Sequence, residues 1–412
     1  LRRIVRAVIS ALLLTAGSAF AACSGVQVPA NASGATIQSL INAQPNGTTF
    51  CFVPGTSVLT GYITLRFGNR LICEPRRTCI ITGNNANPGG FRVDFGIDNV
   101  LIKGFVVKDF TTPSGFPEAC MQARNNGVME DNEITNCNTG MSLTSGNTAK
   151  NNYLHHNRCH GVDGGPGTTM YLSGNEIAYN NTSHADPGDD CAGVKIIGSQ
   201  QGANNLTWYG NYVHHNYGNG LWCDGNCRNL RYEGNRVENN EGCGIDHEIS
   251  WDVVITRNVF LNNGGNDAAG QSCFHGGSIC VNNSQGVTIT GNRVIQRDGL
   301  NGICLNHSTR PNDTATWFPQ SLANVSVTGN WVYTWGAGRS GVTGNPSSGI
   351  SFEGNTYYTQ SEDSLSWDLY GAKNQTQWQA GGMDATGVFN VWDGIIQFHL
   401  TDPGGLLISP DS

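Results

Sequence analysis

Leu206-Thr207-Trp208-Tyr209-Gly210-Asn211-Tyr212-Val213 reads apolar-x-apolar-x-Gly-Asn-x-apolar. The phrase returns over Leu230–Val237, Val253–Val259, Val287–Val294 and Val325–Val332. Looser copies end on Asn132-Glu133-Ile134, Asn152-Tyr153-Leu154 and Asn175-Glu176-Ile177, and a late one on Asn355. The anchoring asparagines are 132, 152, 175, 211, 235, 258, 292, 330 and 355, spaced by 20, 23, 36, 24, 23, 34, 38 and 25 residues. A short base period with occasional insertions is the mark of a solenoid. Within each period apolar residues alternate with polar ones, which is the rhythm of strands and not of helices. The expectation is an all-β coil of three short strands, each coil about 4.8 Å above the last. Stacked asparagines would then form amide ladders through the turns.

Composition agrees. Of 412 residues, 55 are Gly and 46 are Asn, both poor helix formers, so a helix bundle is excluded. With 38% hydrophobic and 9% aromatic residues the chain has enough apolar surface to fold. A net charge of −8 gives no reason to expect nucleic acid or an anionic membrane as partner.

The first 22 residues have the order of a secretory leader: Arg2, Arg3 and Arg6, an apolar run from Ala7 to Ala16, then small residues around Ala19-Phe20-Ala21. The run is too short to span a bilayer. Removing the three arginines leaves 20 cations against 31 anions, a net charge of −11. Phe20-Ala21-Ala22-Cys23 also resembles a lipoprotein cleavage box, so lipid anchoring at Cys23 stands behind soluble export as a second expectation. All 14 cysteines lie at or beyond position 23 and are scattered, which suits disulfides in an oxidising compartment better than metal sites. Cys73 with Cys79 and Cys223 with Cys227 are local candidates.

Ala35-Thr36-Ile37-Gln38-Ser39-Leu40-Ile41-Asn42-Ala43 followed by Asn46 to Gly55 resembles the opening of the right-handed parallel β-helix superfamily, the architecture of pectate lyases and related enzymes. The resemblance covers about residues 35–360. It implies a right-handed parallel β-helix over 23–360 and a short N-terminal helix that plugs the first coil through Ile37, Leu40 and Ile41. The tail, 361–412, is expected to fold back as a cap. It also implies a carbohydrate-active protein. Gly220-Leu221-Trp222-Cys223-Asp224 with Gly244 to Ser250 is similar to a pattern of secreted bacterial β-helix proteins of unsettled activity. Gly188 to Ala192 is similar to the paired-aspartate segment of polygalacturonases, and His275 to Ile279 to their histidine segment. The 85 residues between Asp190 and His275, and the missing Arg-x-Lys, depart from that family.

A second register places a candidate site. Gly-apolar steps at Gly140-Met141, Gly161-Val162, Gly193-Val194, Gly220-Leu221, Gly244-Ile245, Gly302-Ile303 and Gly341-Val342, with Ser278-Ile279, align one strand per coil. If the apolar residue points inward, positions one and three later point outward. The outward columns then carry Asp163, Lys195, Trp222, Asp224, Asp246, Glu248, Asn282 and Asn306, while Cys280 and Cys304 fall in equal slots as a third disulfide candidate. Insertions at 181–192, 264–277 and 307–323 would wall this face and supply His184, His275 and Trp317.

An isolated outward Asp most often just meets water; a cluster of carboxylates with one Lys beneath three loops has the composition of a glycan groove. Lys195, Asp224, Asp246, Glu248 and His247 are the candidate catalytic residues. Asp163, Trp222, Asn282, Asn306, His184, His275 and Trp317 are the candidate substrate contacts. The bland alternatives are an ion pair for Lys195 and, since His247 alternates inward, a hydrogen-bonded core histidine. His155-His156 and His214-His215 read as turn residues away from the groove.

Three functions fit. A lyase would use Lys195 as base, with Ca²⁺ held by Asp224, Asp246 and Glu248. A glycoside hydrolase would use two carboxylates such as Asp224 and Glu248, one coil apart. A non-catalytic glycan-binding solenoid is the third. Lyase ranks first, acting as a monomer on an extracellular polysaccharide, with no membrane insertion.

Overall fold

The computed structural model describes residues 23–85, 89–94, 96–111, 119–185, 190–265, 276–296, 299–310, 315–345 and 347–391. These form three sheets of 13 strands each, parallel except where Ala372–Lys373 runs antiparallel to Trp367–Leu369; between the chain ends every third strand returns to the same sheet. One sheet, here the groove sheet, runs through Val162–Gly164, Val194–Ile197, Leu221–Asp224, Ile245–Glu248, Gly277–Asn282 and Asn301–His307. The histidine sheet runs through Tyr153–His155, Glu176–Ala178, Tyr212–His214 and Arg236–Glu238. The third holds the long strands, Ala203–Tyr209 and Cys227–Glu233 among them. The inward residues of all three sheets make one continuous core along the solenoid axis.

The Gly-Asn phrase acts as expected. Asn132, Asn152, Asn175, Asn211, Asn235, Asn258, Asn292, Asn330 and Asn355 are all buried and form one ladder. In each rung the Nδ2 group donates to Oδ1 of the next asparagine, as Asn211 does to Asn235 at 2.9 Å, and to a backbone carbonyl, here Leu172 at 2.8 Å. The ladder ends on buried Asp384, whose carboxylate accepts from Asn355 N at 2.9 Å, Asn355 Nδ2 at 3.1 Å and Tyr357 OH at 2.6 Å. A second ladder, Asn157, Asn180, Asn216, Asn240, Asn263 and Gln296, runs through the turn between the histidine and groove sheets. Its signal is in the sequence, since each member through Asn263 follows a first-ladder asparagine by five residues.

The helix Gly34–Ala43 closes the N-terminal end with Ile37 and Ile41 buried and Leu40 packed against the core; Ser33 Oγ caps it from Thr36 N. At the other end coil stacking continues past residue 360. Trp367–Leu369 extends the groove sheet and Val388–Val391 the histidine sheet, and Trp378 of the helix Gln375–Ala380 is buried between. Trp392 lies outside the described residues.

Six disulfides join described residues, including Cys73–Cys79 and Cys223–Cys227. Cys23 pairs with Cys51, which occupies the sulfur that a lipid thioether would need. Cys280 pairs with Cys243 and not with Cys304. Cys280 and Cys304 are cross-strand partners, but outward side chains on adjacent parallel strands run side by side, whereas a disulfide needs Cβ atoms about 3.5–4.5 Å apart. No described helix is long and apolar enough to cross a membrane.

Candidate functional site

Alternation along the groove sheet puts the expected residues in two outward columns. The first pairs Ser142 with Asp163, Asp163 with Lys195, Lys195 with Trp222, Trp222 with Asp246 and Asp246 with Cys280. The second pairs Ile197 with Asp224, Asp224 with Glu248, Glu248 with Asn282 and Asn282 with Asn306. The last coil departs by two residues: Val342 lies beside Leu305, so Thr343 meets Asn306 and Asn345 leaves the column. Ser340 takes the slot given to Val342 and accepts a hydrogen bond from Ile303 N at 3.0 Å. The step Gly341-Val342 is thus insufficient to set register, although the steps that follow the insertions 181–192 and 264–277 keep theirs.

Most of the floor is sealed. Lys195 is 6% exposed, Trp222 2%, and Asp246 and Asn282 0%. Lys195 Nζ sits 3.5 Å from Asp224 Oδ2 and 3.5 Å from the centre of the Trp222 ring. That ion pair and cation–π contact suit a fixed cation. They cover the ring face that a sugar would need, so Trp222 is a support for Lys195 and not a sugar platform. Asp246 is a buried anchor: Oδ2 accepts from Asn219 Nδ2 at 3.1 Å and Oδ1 from Asn282 Nδ2 at 2.9 Å. His247 points into the core, fully buried against Tyr232, and burial pushes its pKa down to about 3. It cannot reach the groove, which removes it from the candidate catalytic set.

Asp224 stands at the accessible edge, and Glu248 lies beside it, 7% exposed. The Asp224 side chain is 23% exposed, and beside it Ile197 is exposed. Burial raises the Asp224 pKa; Lys195 opposes that shift and Asp246 adds to it. Glu248 is held by Arg310, which reaches back from the loop after Asn301–His307. The same loop brings Trp317 over Gly225, where its carbonyl accepts from Arg228 at 3.3 Å and its ring packs on Phe318. Arg310 has no repeat position, and only the loop fold brings it 62 residues back along the chain.

At the other edge His160, also missed from sequence, accepts from Ala192 N at 3.1 Å; burial, then the charge on Lys195, lowers its pKa to about 3. Asp163 has one carboxyl oxygen buried without a partner, and burial pushes its pKa up to about 6 against a smaller pull from Ser142. His184 is exposed on this flank, edge-on to Tyr217 at 4.2 Å. Asn306 accepts from Thr343 Oγ1 at 3.1 Å. His275, Asp186 and Asp189 lie outside the described residues.

Of the expected calcium ligands, Asp224 faces Lys195, Asp246 accepts from two asparagine amides and Glu248 is held by Arg310. Cys159, His160, Asp190 and Cys191 place ligand atoms within 4.8 Å of one another, but a disulfide takes both sulfurs.

Residues 65–231, 126–294 and 192–332 match the right-handed β-helix region, together more than half of the chain, and the chain belongs to that family. No curated protein sequence matches it. Among solved structures, the A-module of the mannuronan C-5 epimerase AlgE6 from Azotobacter vinelandii is 18% identical, over 86% of this chain and 94% of its own, with a TM-score of 0.67. The catalytic unit of a GH87 α-1,3-glucanase from Streptomyces thermodiastaticus is 13% identical, over 91% and 69%, at 0.63. The PL6 polysaccharide lyase Pedsa3628 from Pseudopedobacter saltans is 12% identical, over 94% and 97%, at 0.60. At these identities the likeness is one of fold.

Proposed function

We propose that the chain is an exported enzyme that hydrolyses an extracellular polysaccharide at the open edge of the groove sheet, with Asp224 as proton donor and Glu248 as the second carboxylate. One observation carries this reading: two carboxyl groups on directly paired strands stand in unequal surroundings. Asp224 is shifted toward its protonated form by burial, while Glu248 is clamped by a guanidinium. Such a division separates an acid from a base or nucleophile in glycosidases. Six disulfides and the leader-like first 22 residues support export.

β-Elimination from a uronate is the second reading, favoured by Lys195 at the floor beside Asp224. There Lys195 serves better as the cation that receives a substrate carboxylate than as the base, because a base would have to leave both its ion pair and the Trp222 ring. The epimerase and lyase among the structural neighbours fit this chemistry. Incubation with neutral and uronate polysaccharides, read by reducing-end assay and by the ultraviolet absorbance of unsaturated ends, separates the two. Saturated new ends, lost in Asp224→Asn and Glu248→Gln, are expected. Unsaturated ends would replace hydrolysis with elimination, and silence on every glycan would leave a binding solenoid.

A further inference from the structure

The outer edge of the histidine sheet carries a feature the groove does not use. Two vicinal histidine pairs, His155-His156 and His214-His215, occupy the same turn two coils apart: His155 pairs with Ala178, and Ala178 with His214. In each pair the Nδ1 atoms face one another, at 2.8 Å in the first and 2.9 Å in the second. In each, the outer nitrogen of the first histidine meets a carboxylate: His155 Nε2 lies 3.5 Å from Glu133, and His214 Nε2 lies 3.4 Å from Glu176. A tyrosine stacks on that same ring, Tyr153 on His155 at 3.9 Å and Tyr212 on His214 at 4.0 Å. The ring pairs are built twice; the carboxylate contact is a hydrogen bond at His214, while His155 Nε2 makes none and its Nδ1 also lies 3.3 Å from Thr135 Oγ1.

A carboxylate that accepts a hydrogen bond from Nε2–H, as Glu176 does from His214, fixes the tautomer and leaves Nδ1 with its lone pair, which is how metal-binding histidines are commonly oriented. Burial lowers the pKa of His155 and of His214, which favours the neutral ring that a metal requires. The spacing is that of a hydrogen bond between the two nitrogens, and it also fits one metal geometry better than another. Two adjacent ligands at about 2.0 Å and a right angle stand about 2.8 Å apart, as in the tetragonal sites of Cu²⁺ and Ni²⁺. A tetrahedral zinc site would hold them about 3.3 Å apart.

We propose that each histidine pair is a binding site for a tetragonal divalent cation, Cu²⁺ or Ni²⁺, held by the two Nδ1 atoms with water completing the shell. Binding moves the proton between the two nitrogens to Nε2 of the ring that carries it, so that both rings stay neutral and both Nδ1 lone pairs face the metal. The sites are two rungs apart, roughly 10 Å, with Tyr179 stacked between His156 at 5.1 Å and His215 at 5.2 Å.

The test uses Cu²⁺ and the full exported chain. Calorimetry should give two equivalents, and electron paramagnetic resonance should show nitrogen ligation with broadening from the neighbouring spin. His156→Asn should lose one equivalent and the broadening, His215→Asn the other equivalent, and the double variant both. Asparagine is the safe replacement, because Asn136, Asn239 and Asn262 fill this left-handed turn position in other coils. Unchanged circular dichroism would confirm that each variant folds. No copper uptake by the parent chain would overturn the proposal. So would full uptake by the folded double variant, which would place the copper elsewhere.

Discussion

Replacing Asn211 by alanine removes one rung of the first ladder, and the loss can be worked from its bonds. The Asn211 side chain donates to Leu172 O and Asn235 Oδ1 and accepts from Asn175 N at 3.0 Å and Asn175 Nδ2 at 3.0 Å. Two of the partners keep a substitute: Asn175 Nδ2 still donates to Ala149 O, and Asn235 Oδ1 still accepts from Asn211 N. The buried Asn175 N–H does not. One orphaned donor at about 1–3 kcal/mol and three lost bonds at about 1 kcal/mol each, partly recovered, sum to about 3–5 kcal/mol. A repeat solenoid need not unfold in one step, so the loss should be read locally. Amide hydrogen exchange is the assay, with protection in the coils of Asn175, Asn211 and Asn235 expected to fall by about two to four decades. The coils around Ile63 and Phe91 should hold. A change below tenfold, or one spread evenly along the chain, would refute the view that each rung supports its own coils.

Asp163→Asn should stabilise the protein at neutral pH. With its pKa raised to about 6, the folded state holds the proton more tightly than the unfolded chain does. Stability from this group is therefore full below about pH 4, declines as pH rises to about 6, and is then lower by at most about 3 kcal/mol. Thermal melts of parent and variant should coincide at acid pH and separate above pH 6; parallel curves would show that Asp163 titrates elsewhere. Arg310→Ala should take the guanidinium away from the largely buried Glu248, and breaking such a pair typically costs about 3–5 kcal/mol where it is fully buried. Limited proteolysis should then cut near 308–321 first, while Arg310→Lys partly restores resistance; equal resistance in all three proteins would sink the clamp.

The fold was legible because the Gly-Asn phrase encodes a physical requirement, a buried amide per coil that must find its own kind above and below. The five-residue echo of the second ladder is equally legible, but its members lack the preceding glycine that marks most of the first. The outward columns followed from alternation alone. Their accessibility did not: period two says which way Lys195 and Trp222 point, but not that the walls and each other's contacts seal them. Arg310, His160 and the Cys243–Cys280 pair belong to loops and turns whose paths no periodicity fixes.

Asp384 gives the solenoid a direction as well as an end. Every amide in the first ladder donates toward the C-terminal coil, so the side-chain dipoles align head to tail with their positive pole at Asn355. There the carboxylate plays the part that an anion plays at a helix N-terminus. An acceptor-only residue can receive the series but cannot pass it on. Coils can therefore be gained or lost between Asn132 and Asn355 without breaking the series, because every interior rung gives and takes alike. Beyond Asp384 no rung can follow, and the length of this molecule is open to revision everywhere except at its last amide.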